Sequence, residues 1–206
     1  KGMLKFTWCQ QFIMIEIDEG NQLFLNKKFQ ECIRKYEIVL EREPKNLIAL
    51  NNKGYSLSKL KKYSEALACY DEFLQNSPND KTVLINKISI FRKTGEYDDA
   101  IKICDSLLKN NPDETIVLYH KLRIFKKLDR FVESNSICTK LLNIYPENGD
   151  ILYDMASNFL KLNDIEQFLT FLQKAVNVMP NLKNKSKNNK EFEEFFRNER
   201  FMNIVS

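Results

Sequence analysis

Residues 54–78 read GYSLSKLKKYSEALACYDEFLQNSP, two apolar stripes parted by the dipeptide Lys61-Lys62. Leu57 and Leu60, with Leu50 just upstream, recur at helical spacing. After the lysines, Tyr63, Ala66, Leu67, Tyr70, Phe73 and Leu74 form a second stripe of the same period. Two amphipathic helices of three to four turns, joined by a tight turn, satisfy this pattern; strand alternation does not. Pro78 ends the second helix, because it lacks an amide donor and clashes with the preceding turn. Asp80 is placed to cap the next helix.

The same marks recur in both directions. All five prolines, Pro44, Pro78, Pro112, Pro146 and Pro180, fall 34 residues apart. The residue opening the second helix is Phe29, Tyr63, Tyr97, Phe131 and then Ile165; the large residue late in the first is Leu23, Leu57, Phe91, Phe125 and Phe159. Small residues, Cys32, Ala66, Ala100 and Ser134, stand where paired helices must approach, and Gly20 and Gly54 are expected to face them. A unit copied end to end predicts an array in which each hairpin packs only on its neighbours.

The period, and the run small–x3–aromatic–x2–apolar–x4–proline (Ala66, Tyr70, Phe73, Pro78), resemble the tetratricopeptide-repeat family. The resemblance implies an all-α, right-handed superhelical solenoid of five antiparallel helix pairs plus a C-terminal capping helical segment. By register the repeats are 13–46, 47–80, 81–114, 115–148 and 149–182, after a lead segment, 1–12. Residues 183–206 hold a polar connector and a capping helix, with Phe192, Phe195, Phe196, Phe201, Met202, Ile204 and Val205 at helical spacing. Three departures stand out: Ile88 and Leu122 replace the glycine, Phe168 replaces the small residue, and Lys53, Lys87 and Lys121 replace a usual leucine, their stems covering apolar surface.

Composition narrows the function classes. The chain has 206 residues, 43% hydrophobic and 29% charged, with a formal net charge of +4. That excess falls short of a nucleic-acid footprint. No apolar stretch is long enough to span a membrane. Cys9, Cys32, Cys69, Cys104 and Cys138 form no C-x-x-C pair, and His120 is the single histidine, so no zinc set is expected. Cysteines reading as reduced core residues point to the cytoplasm. No catalytic motif or phosphate loop occurs, so the expectation is a non-enzyme without cofactor or metal.

The resemblance places a ligand groove on the first helices. Projected onto this chain, its positions are Asn21, Asn51, Asn52, Tyr55, Ile85, Asn86, Ser89, Tyr119, His120, Arg123, Tyr153 and Asp154. Asparagine can serve both a donor and an acceptor of a peptide backbone. A series Lys59, Lys93, Lys127 and Lys161 reads either as helix-dipole complement or as an attractor of acidic ligands. The chaperone-type carboxylate clamp is not expected: Asn21 and Asn52 are in register, but its cationic places hold Ile17, Thr82 and Asn86. The functional expectation is a scaffold or adaptor binding a peptide or protein segment in the concave groove. The alternatives are self-association through the C-terminal segment and a non-catalytic domain of a larger enzyme or regulator.

Overall fold

A computed structural model of the chain describes residues 2–206, with side chains from residue 8 onward. The helices follow in order: α1 (Gly2–Leu25), α2 (Phe29–Arg42), α3 (Leu47–Lys59), α4 (Tyr63–Asn76), α5 (Lys81–Thr94), α6 (Tyr97–Asn110), α7 (Thr115–Lys127), α8 (Phe131–Ile144), α9 (Gly149–Lys161) and α10 (Ile165–Val178). Then come α11 (Leu182–Lys187), a 3-10 segment (Lys190–Arg197) and α12 (Glu199–Val205). Among the described residues there is no strand. Each proline of the 34-residue grid stands two residues beyond the end of a second helix. Asn46, Asp80 and Asn148 cap the helices that follow, accepting from the amides of Ala49, Val83 and Ile151 at 2.9–3.1 Å.

The turn inside each hairpin is the same object five times. Lys27, Lys61, Gly95, Asp129 and Asn163 all adopt left-handed backbone, with φ between 55° and 88°. The next residue's amide then donates to the carbonyl of Leu23, Leu57, Phe91, Phe125 or Phe159 at 2.9–3.0 Å. This is the six-to-one closure of a Schellman motif. The large residue late in each first helix is thus also the one whose carbonyl the turn satisfies.

The chain divides into two units, with the division between Ile103 and Cys104, inside α6. In the first, α1 pairs with α2 and α3 with α4, and α3 also packs on α2. The nearest neighbours of Gly20 and Gly54 are the tyrosine rings of Tyr36 and Tyr70, a contact that the sequence pairing with Cys32 and Ala66 does not foresee. A Cβ at either glycine would lie 2.7 Å from Cε1 of Tyr36 or Tyr70. The glycine makes room for a large residue one turn further along the second helix. The departures follow from that: where Ile88 and Leu122 replace glycine, the register holds Cys104 and Cys138 in place of tyrosine. Bulk has moved from one helix to the other.

The lysines at the leucine position are ion-paired. Lys53 meets Glu37 at 3.0 Å, and Lys87 bonds Asp71. In the second unit Lys121 bonds Asp105 in the same register. Each bridge ties a first helix to the second helix of the preceding hairpin, and the half-exposed carboxylates keep its contribution modest.

In the second unit α7 pairs with α8, α9 packs on α8, and α9 pairs with α10, which carries the cap. The polar stretch 181–190 contains α11, anchored by buried Leu182 and Ser186 one turn apart. Phe168, the residue too large for its position, is the hub of the cap. The rings of Phe192, Phe195 and Phe201 surround it at 4.9, 5.0 and 6.3 Å. The small residue is dispensable because an aromatic cluster fills the last interface, and Phe192 and Phe201 are fully buried.

Candidate functional site

Asparagines on the first helices of unit one bond to one another. Tyr36 donates its hydroxyl to Asn21 Oδ1 at 2.9 Å, and Asn52 Nδ2 donates to the same oxygen at 3.0 Å. Asn51 Nδ2 donates to Asn52 Oδ1 at 3.1 Å, and Asn86 Nδ2 to Asn51 Oδ1 at 3.3 Å. The ladder therefore runs Tyr36–Asn21–Asn52–Asn51–Asn86, from α2 across α1, α3 and α5. A primary amide offers two N–H groups and two lone pairs. Asn52 uses one of each, so it keeps a donor and an acceptor while its orientation is held. Burial pushes the Tyr36 hydroxyl up to about 12, so it remains a donor.

Two cavities flank this ladder. One, of about 260 Å³, is lined by Asn21, Phe24, Leu25, Tyr36, Asn52 and Tyr55. The other, of about 270 Å³, is lined by Leu47, Ile48, Asn51, Asn52, Phe73, Asp80, Thr82 and Val83. Both fall below the roughly 300–1,000 Å³ of small-molecule sites and match single side chains better. Asn52 borders both. Apolar side chains stand exposed around them, Leu25 at 72% and Ile48 at 57%.

Tyr55 lies 39% exposed, its ring 5.3 Å from that of Phe24, with Lys59 Nζ 4.8 Å from its centroid. Ile85, Asn86 and Ser89 are half-buried along α5. Phe24, Leu25 and Tyr36 were not among the sequence-derived positions. The signal for Tyr36 was present in its pairing with Gly20, repeated by Tyr70 with Gly54.

In the second unit the equivalent positions are occupied from within. Tyr119 accepts from Asn148 Nδ2 at 3.3 Å, and Asp154 is ion-paired with Lys126. Tyr153 is buried beneath the tail. Its hydroxyl accepts from Asn189 Nδ2 at 3.2 Å, Phe192 lies 5.8 Å from its ring, and Lys185 Nζ sits 4.3 Å over it. Lys161 pairs with Glu191 at 2.7 Å. His120 is half-buried and Arg123 is exposed. Burial raises the hydroxyls of Tyr119 and Tyr153, partly offset by their asparagine partners.

Cys32, Cys69, Cys104 and Cys138 are buried and their thiols are raised by burial, Cys104 and Cys138 to about 12. They are thiols of the core and not nucleophiles. Among the described residues no group of three or more His, Cys, Asp or Glu side chains could hold a metal, and no helix is long and apolar enough to cross a membrane.

The model of the Psidin N-terminal tetratricopeptide-repeat region matches residues 22–120. No curated protein matches the sequence. Among solved structures, MamA (residues 41 to the end) from Desulfovibrio magneticus RS-1 is similar, with a TM-score of 0.75 at 14% identity over 86% of this chain and 98% of that one. A further MamA structure gives 0.74 at 16% identity over 87% and 97%. YrrB, described as "a TPR protein with an unusual peptide-binding site", gives 0.67 at 16% identity over 80% and 85%. At such identities the likeness is one of fold. The 34-residue register and the five like turns agree with the tetratricopeptide-repeat fold, which these solved structures share and whose family model the chain resembles over residues 22–120.

Proposed function

We propose that the chain is a non-catalytic interaction module that holds an extended protein segment along the first helices of its N-terminal unit. The observation that carries this reading is the asparagine ladder bordered by two side-chain-sized cavities, one walled by Phe24, Leu25 and Tyr55, the other mixed, with Ile48 and Val83 beside Asp80 and Thr82. The ladder meets the backbone of the bound segment, and the cavities take side chains. Its neutral amide–amide bonds are worth only about 0.5–1.5 kcal/mol each, so an incoming backbone displaces them at small cost. Orienting the amides beforehand reduces what binding must spend on ordering them. Self-association through the tail has less support, since Phe192 and Phe195 are spent in the cap and Phe196 alone of that trio is exposed.

The test is selection of displayed random peptides on the full chain, followed by titration calorimetry of the best binders. Asn52→Ala combined with Asn86→Ala should weaken binding about tenfold with helicity unchanged. Equal affinity for the double variant would reject the site.

A further inference from the structure

The chain's own tail shows which chemistry suits the end of a first helix. Along α9, Glu191 sits on Lys161 and the adjacent Phe192 lies against Tyr153 and Phe168. An acidic residue beside an aromatic one is thus seated on the lysine that closes a first helix. Lys59 holds the same repeat position as Lys161 three periods earlier. Its ammonium lies over Tyr55, a wall of the cavity shared with Phe24 and Leu25. Among the described residues Lys59 has no carboxylate partner, and neither has Lys93, which lies 5.9 Å over Tyr63. In the turns of this unit Lys28 and Lys62 are paired with Glu31 and Glu65, whereas Lys27 and Lys61 are exposed and bridge no acid.

Resting on the reading above, we infer that the Phe24–Tyr55 cavity is the anchor for an acidic–aromatic segment of a partner protein. Its aromatic side chain packs against the paired rings of Phe24 and Tyr55, which lie 5.3 Å apart, and its neighbouring carboxylates meet Lys59 and the lysines of the adjoining turns. The cavity is lined by the apolar Phe24, Leu25 and Tyr55 together with Tyr36 and the Asn21 and Asn52 amides, which are bonded to one another. A ring fits where a charge would be stranded. The rim is cationic and exposed, which favours an acid and disfavours a base beside the ring. Rim charges of this kind act mainly through encounter rate and salt dependence, so the acidic preference is expected to be modest and screened by salt.

The experiment uses the full chain and two fluorescent peptides, one carrying EFEEFF, the sequence of Glu191–Phe196, and one carrying QFQQFF. Fluorescence anisotropy at about 0.05 M and about 0.5 M salt separates the charge contribution from the apolar one. The acidic peptide should bind about fivefold tighter at low salt, with the gap closing at high salt. Lys59→Glu, at an exposed position that leaves the fold alone, should abolish the gap. Tyr55→Ala should weaken both peptides. Equal binding of both peptides at low salt would overturn the acidic preference while leaving the interaction module intact. Binding of neither would overturn this anchor, whereas the interaction module itself stands or falls by the peptide selection above. A gap that survives Lys59→Glu would also overturn the assignment, because the acid would then be met elsewhere.

Discussion

The two units carry the same repeat and treat its inner positions in opposite ways. In residues up to 103 the positions hold asparagines that bond to one another and to Tyr36, beside two small cavities. In residues from 104 onward the same positions hold Tyr119, Asp154 and Tyr153, and each is engaged by Asn148, Lys126 or the C-terminal tail. The backbone scaffold is common to both, since the left-handed turn residue recurs at Lys27, Lys61, Gly95, Asp129 and Asn163. A repeat position therefore decides where a side chain stands. Whether that side chain is available to a partner depends on what the next element brings to it.

The largest effect is expected from the element that closes the second unit. Phe192 is fully buried among Phe168, Phe201 and Tyr153. Phe192→Ala should cost about 3–5 kcal/mol. In an array, stability is local to neighbouring units, so amide hydrogen exchange should accelerate in α9–α12 and remain slow in α1–α4. Uniform acceleration across both units would show that they unfold as one and would break the comparison.

Next is the exchange of bulk between paired helices. Gly54→Ala sets a methyl 2.7 Å from the Tyr70 ring and should cost about 1–3 kcal/mol in urea denaturation. Gly54→Leu with Tyr70→Cys reproduces the Leu122/Cys138 solution of the second unit. The double variant should recover at least about 0.5 kcal/mol relative to the sum of the single changes. Strict additivity would mean that the glycine and the tyrosine are independent.

These results bear on what the sequence alone could say. Five prolines in register were enough to assign helix pairs, turns and their order, because proline acts on its own backbone. The cap was legible too, from aromatic spacing after Pro180. Side-chain partners across neighbouring helices were not. Nothing in the periodicity says that Tyr70 is the nearest neighbour of Gly54, since Tyr70 and Ala66 lie on the same helical face one turn apart. Nor does it say that Tyr153 lies under Asn189 and Phe192, because the tail has no repeat register. Asn21, Asn51, Asn52 and Asn86 were expected only as polar residues of a projected groove; that they bond to one another required their geometry.

The turn offers a smaller contrast. Gly95 is the one glycine among the five left-handed residues, and a Cβ there would meet nothing within 4 Å. Gly95→Ala should still cost about 1 kcal/mol, because the strain is in φ and not in contact. Lys61→Gly should gain up to about 1 kcal/mol by the same reasoning, less whatever the unfolded chain gains in freedom. Thermal melts of the two variants should move in opposite directions.

The smallest difference lies between two tyrosines in the same unit. Tyr36 and Tyr70 occupy one repeat position, and each is fully buried against a glycine. Tyr36 donates to Asn21, whereas the Tyr70 hydroxyl has no hydrogen-bond partner among the described residues. The register explains it: the residue equivalent to Asn21 in the next repeat is Tyr55. Tyr36→Phe should therefore cost about 1 kcal/mol and loosen the ladder, whereas Tyr70→Phe should be neutral or mildly stabilising, since it removes an unsatisfied buried polar group. Alkaline titration separates them from a general packing loss. Burial lifts Tyr36 from its ordinary 10.0 to about 12, so the unfolded chain releases this proton first. Its contribution to stability is complete below about pH 10 and declines as pH rises toward 12. Tyr36→Phe should flatten that decline in proportion to its share. An unchanged slope would mean that the hydroxyl is solvated in the folded chain and that the ladder does not begin at Tyr36.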